Sequence, residues 1–197
     1  MFTIVGILLY GNNANAHSFN LIFIAPISDQ AGRSALDGFL LATTEQDSHE
    51  FETSDGHLGG LDSHVFKVDN TAGKAMNTTQ LEKTIDEAEP LFTTGLSLDA
   101  NQIDLLKDSG TVFVDPTSSR FWPDRLAHPE QLTTMNGGLF FNAFEQAYGY
   151  QPDNHAIRGY LAARVIADVI RNSSERDRSS PAVLDQMVRA ALVEPSW

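Results

Sequence analysis

Apolar residues in this chain alternate between short unbroken runs and helical spacing. Residues 19–27 (FNLIFIAPI) form a nearly continuous apolar run, the pattern of a strand buried on both faces. Ser28 to Gly32 reads as a turn, and a helical stretch follows from Ser34 to about Thr44. His64 to Asp69 predicts a second strand, Leu91 to Thr94 a third, and Thr111 to Asp115 a fourth that Pro116 stops. Two further helices lie between them. One spans Thr78 to Ala88, opened by Asn77 or Thr78; the other spans Asp99 to Asp108, with Asp99 and Gln102 at capping-box spacing. This strand-helix rhythm predicts an α/β fold, a doubly wound and mainly parallel sheet of four or five strands with helices on both faces.

The polar segment 46–63, rich in Gly, Asp, Ser and His, reads as an exposed loop, and so does most of 117–136 with its Pro123 and Pro129. Three helices then follow without strands between them. Phe140, Phe141, Phe144 and Tyr148 mark the first. Ile157, Leu161, Val165 and Val169 mark the second, with Arg164 and Asp168 paired on its polar side. Val183, Leu184, Met187, Val188 and Ala191 mark the third. The last two are expected to pack back onto the sheet rather than form a bundle of their own.

At 197 residues there is room for one domain, and a formal charge of −13 argues against nucleic acid and anionic membrane surfaces. The chain has no cysteine, which removes disulfides, thiolate catalysis and sulfur-ligated zinc. Met1 to Tyr10 is an apolar run too short to span a bilayer, and Ala14-Asn15-Ala16 is an A-x-A cleavage pattern. Residues 1–16 therefore read as a signal peptide, with 17–197 as a single mature domain in the periplasm; a buried first strand is the other reading of that run.

The order of motifs resembles the type 1 periplasmic solute-binding proteins, most of all the leucine/isoleucine/valine-binding family. IAPISDQAGRSALDGFLLA (24–42) looks like the family's opening strand, loop and helix, and SDGHLGGLDSHVFKVDN (54–70) like its Gly-rich loop and a strand ending in Asp. TTGLSLDANQIDLLKDSGTVFVDPTSS (93–119) looks like its strand-Gly-x-Ser-helix unit and a strand ending in Pro and a hydroxyl cluster. The most specific stretch is 140–170, with Phe-x-x-x-Tyr-Gly-x-x-Pro-Asp and then Ala-x-x-Gly-Tyr-x-Ala-Ala. In the family a second lobe, roughly a hundred residues or more, separates the hydroxyl cluster from that stretch. Only residues 120–139 intervene here, so the resemblance implies one lobe of the two-lobed clamp.

The resemblance implies an amino acid or similar small carboxylate as ligand, an ABC permease as partner, no enzymatic activity and no cofactor. It assigns Ser97, Thr117 and Ser119 as first-lobe ligand contacts, with Ser118 in the same cluster. These residues also stand on physical grounds, because each follows the carboxyl end of a parallel strand, where open α/β sheets place their ligands. Free N–H groups at a helix start, with hydroxyls nearby, suit a carboxylate. The structural alternative is that Ser97 caps a helix and 117–119 only make a turn. Asp29 faces the same end of the sheet and reads first as a helix cap. Trp122, beside Pro123, is a further candidate as a stacking aromatic.

His49, Glu50, Glu52, Asp55, His57, Asp62 and His64 hold sulfur-free ligands for zinc or copper, without the spacing of a defined site, and a solvated loop is the plainer reading. No G-x-S-x-G, P-loop or G-x-G-x-x-G motif is present. Two alternatives to transport follow: a one-lobed interaction module that docks a partner or forms a homodimer, and metal handling through the acidic His-bearing loop.

Overall fold

Strand β1 (Ser18–Ala25) is the axis of the molecule, with every residue from Leu21 to Ala25 buried. A computed structural model describes residues 17–45, 53–71, 74–115, 117 and 127–193. β3 (Leu61–Asp69) and β4 (Phe92–Gly95) flank β1 and run parallel to it, and β5 (Val112–Val114) runs parallel to β4. β2 (His57–Leu58) lies antiparallel on the outer edge of β3, giving the order β2-β3-β1-β4-β5. The chain thus builds to one side of β1 and then crosses to the other. That reversal places a topological switch point between β1 and β4.

The two faces of β1 feed separate cores, as strand alternation requires. Leu21, Phe23 and Ala25 face the larger one, with Phe39 of α1 (Gln30–Thr44) and residues of α4 (Phe140–Tyr148), α5 (Asn154–Asn172) and α7 (Pro181–Val193). Ile22 and Ile24 face the smaller one, closed by Leu81 of α2 (Lys74–Ala88) and Leu106 of α3 (Ala100–Asp108). A short α6 (Glu175–Arg178) links α5 to α7, and both longer helices pack onto the sheet side of the molecule. The expected doubly wound single lobe is present, with five strands. Asp99 and Gln102 form the expected capping box on α3, each side chain meeting the other's backbone N–H.

Three boundaries differ from the sequence reading, each for a local reason. β1 stops at Ala25 because Pro26 has no N–H for a ladder, and the Ile27 N–H turns back to the Ala25 carbonyl at 2.8 Å. α2 begins at Lys74, a turn ahead of the expected cap. The expected loop 46–63 contains the β2–β3 hairpin, and residues 46–52 lie outside the described residues. Gly59 and Gly60 make its turn at φ +64° and +91°, and Leu58 is fully buried.

At the far end of α1 from the crevice described below, a polar cluster is built into the core. The buried Tyr160 hydroxyl and the Met135 N–H both donate to Glu45 Oε2 at 2.9 Å. Arg164 donates to the Tyr160 hydroxyl oxygen at 3.3 Å and to the Thr133 carbonyl at 3.2 Å. Burial pushes the Glu45 carboxyl above its ordinary range, against the opposing pull of Met135, Tyr160 and Arg164. The folded chain therefore holds this proton more tightly than the unfolded chain, and ionisation costs stability as pH rises through the raised value. Denaturation over a pH series should show the Glu45→Gln variant gaining on the parent as pH rises through the carboxylate range. A difference that is flat with pH would contradict this account.

Candidate functional site: a crevice at the carboxyl end of the sheet

At the switch point a crevice of about 310 Å³ opens, at the small end of the ligand-pocket range. Pro26 after β1, Ala31 and Gly32 of α1, and Gly95 to Leu98 after β4 line it. So do Phe113 and Asp115 of the β5 end, Thr117, and His155 and Arg158 of α5. Glycine makes the close approaches possible. A Cβ on Gly32 would lie 2.2 Å from the Pro26 carbonyl oxygen, and one on Gly95 would lie 2.1 Å from that of Ile24. Another hollow, about 240 Å³, lies at the opposite end of the strands beside Ser18, Asn20 and Glu89, away from the switch point.

Side chains from β3 fix the loops around the crevice. Asp69, the last residue of β3, accepts from the Ser28 hydroxyl at 2.6 Å, the Ile27 N–H at 3.1 Å, and the Thr71 N–H and hydroxyl. The bonds from Ser28 and Thr71 hold its carboxyl down at about 2, so the loop after β1 stays pinned wherever Asp69 is ionised. Asn70 donates to the carbonyls of Leu96 and Ser97 at 3.2 and 3.1 Å, pinning the loop after β4.

Ser97 sits at φ +59°, in the left-handed region that non-glycine residues rarely occupy. It does not cap α3; Asp99 does. Its hydroxyl has no hydrogen bond among the described residues, and it lines the crevice. Thr117 lines the crevice too, while its N–H and hydroxyl both donate to Asp115 Oδ1 at 2.7 Å, so it also makes the turn. The fold thus brings Ser97 and Thr117 to one crevice. Ser118, Ser119 and Trp122 lie outside the described residues.

Asp29 occupies the N-cap position of α1, but its carboxylate makes no capping bond and it stands outside the crevice lining. Its first-turn N–H groups, Ala31 and Gly32 among them, are left without a side-chain cap. Of the metal candidates, His49, Glu50 and Glu52 lie outside the described residues. His57 Nε2 instead lies 2.6 Å from Asp62 across the hairpin, and no group of three metal-ligating side chains, His64 included, converges among the described residues.

Two crevice residues escaped the sequence reading. His155 and Arg158 stand in the first two turns of α5, whose Asp153 cap accepts from the N–H groups of His155 and Ala156 at 2.8 and 3.0 Å. Ser34 of α1 donates to the same carboxylate at 2.7 Å, which locks the starts of the two helices together beside the crevice. An Asp two and five positions ahead of a His and an Arg marks a helix start, but nothing in it shows which sheet end that start faces.

No protein-family profile matches the chain, and no curated protein matches it. Solved structures do. The solute-binding protein of an ABC transporter from R. palustris, in complex with benzoate, is 11% identical with a TM-score of 0.62, over 89% of this chain and 85% of that one. LivJ, the branched-chain amino acid transporter substrate-binding protein of Streptococcus pneumoniae, in complex with isoleucine, is 9% identical with a TM-score of 0.63, over 87% of each chain. An ABC transporter substrate-binding protein from Desulfitobacterium hafniense is 14% identical with a TM-score of 0.63, over 91% of this chain and 90% of that one. The chain has the type 1 periplasmic binding-protein fold, in the form of a single lobe. All three neighbours are solute-binding proteins and none is an enzyme. Among the described residues no helix is long and apolar enough to cross a membrane.

Proposed function

We propose that this chain is the exported solute-binding component of an ABC importer, taking an amino acid or a similar small carboxylate in the crevice between β1 and β4. The observation that supports this reading best is convergence. Ser97, Thr117 and the uncapped first turn of α1 meet at one switch point, although they lie far apart in the sequence. N–H groups at a helix start and an uncommitted hydroxyl such as that of Ser97 are donors a carboxylate needs. The three solved neighbours carry solutes for ABC transporters, which agrees with transport.

Calorimetric titration with a panel of amino acids and small carboxylates tests the reading. Ser97→Gly keeps the positive φ without strain and removes the hydroxymethyl group, and with it the hydroxyl contact. Loss of one hydrogen bond to a charged group should weaken binding roughly tenfold or more. Absence of saturable binding across the panel would sink the proposal.

A further inference from the structure

We infer that Arg158 reads the charge of the ligand, and that the crevice selects organic acids whose only charge is a carboxylate over amino acids of the same skeleton. This rests on the crevice being a ligand site and narrows what it takes. Arg158 lines the crevice, yet its guanidinium has no hydrogen-bond or ion-pair partner among the described residues. Lys67, Lys83, Lys107 and Arg189 each meet a carboxylate within 3.6 Å. A guanidinium stays charged at every working pH, and its planar fork matches a carboxylate with two parallel bonds.

The neighbouring groups point the same way. His155, one turn earlier on the same helix, has its Nδ1 buried without a hydrogen-bond partner among the described residues. The Ser97 hydroxyl is a further uncommitted donor among the described residues. Acceptors are scarce by comparison. Among the described residues Asp115 is the one carboxylate in the lining, and its Oδ1 already takes the Thr117 N–H and hydroxyl. An α-ammonium group would therefore share a small crevice with Arg158 and find Asp115, the acidic group of the lining among the described residues, already engaged. A carboxylate with no ammonium meets Arg158 without that repulsion.

The test uses four compounds against the parent chain, Arg158→Gln and Arg158→Lys: isocaproate, benzoate, leucine and leucinamide. Isocaproate is the leucine skeleton without its amino group, and leucinamide keeps the ammonium while losing the carboxylate. In calorimetry the parent should bind both acids, leucine at least tenfold more weakly, and leucinamide not at all. Arg158→Gln should weaken the acids roughly tenfold to a hundredfold, and Arg158→Lys should recover part of that, keeping the charge without the fork. Melting temperatures of the ligand-free variants should match the parent, which separates this result from misfolding. Equal binding of the acids by parent and Arg158→Gln, or leucine bound more tightly than isocaproate, would overturn the inference and leave the solute-binding reading standing. No binding of any compound by the parent would overturn both.

Discussion

Gly38→Ala and Gly159→Ala should each destabilise the fold by several kcal/mol, and valine at either position should prevent stable folding. Helix propensity alone predicts the opposite sign, since alanine in a helix interior is favoured over glycine by about 0.5–1 kcal/mol. Packing decides the outcome. A Cβ on Gly38 of α1 would lie 1.9 Å from the Ala156 carbonyl oxygen, and a Cβ on Gly159 of α5 would lie 1.9 Å from that of Ala35. Each glycine therefore receives the backbone of the opposite helix. Ordinary carbon–oxygen contacts lie at about 3.3–3.6 Å, so the helices would have to separate by more than an ångström. No side-chain rotation relieves this, because the obstructing atoms are helix carbonyls. Separation would strip contacts from Phe39, Ile157 and Tyr160, all fully or almost fully buried. Overpacking that side chains can absorb costs about 1–3 kcal/mol, and this should exceed it, against a total stability of about 5–15 kcal/mol. Denaturant titration followed by circular dichroism is the measurement. Gly138→Ala is the control, since its Cβ would meet only Thr134 Oγ1 at 3.4 Å. A Gly159→Val chain that melts with the parent would refute the packing account.

The same glycines show how much of the fold was legible in the sequence. The stretch 140–170 stands out as a motif, and packing gives each of its marked residues a separate role. Its Gly149 takes φ +76° to end α4, Asp153 caps α5, Gly159 receives α1, and Tyr160 fills the core. Parallel strands were legible as well, because burial on both faces leaves unbroken apolar runs such as Leu21 to Ala25. β2 was not, because a two-residue strand held by a glycine turn carries no periodicity. The crevice was half legible. Ser97 and Thr117 follow strands and so point to the carboxyl end of the sheet by rule, and both line it. His155 and Arg158 reach the same place from a helix that enters after a long excursion, and only tertiary packing of α5 against α1 puts them there. The expected Asp29 cap failed for a subtler reason: the residue holds the position without the bond.

A small carboxylate should bind this chain with a dissociation constant above the micromolar range. All groups that line the crevice among the described residues come from one lobe, so these residues enclose a ligand from one lobe alone. A two-lobed clamp would exclude water and add charged hydrogen bonds from a second wall. Each such bond is worth about 1.5–3 kcal/mol, and a tenfold change in affinity takes about 1.4 kcal/mol. Two or three absent contacts should therefore cost roughly a hundredfold to many thousandfold in affinity. Lobe closure around the ligand, a hinge motion, needs a second body opposite the crevice, and the described residues form a single body. Calorimetry paired with a mass measurement at the same concentration tests this directly. A submicromolar constant for the monomer would refute it, because one open wall should not supply that affinity. The same constant confined to a dimer would instead show the second copy acting as the opposite wall of the crevice.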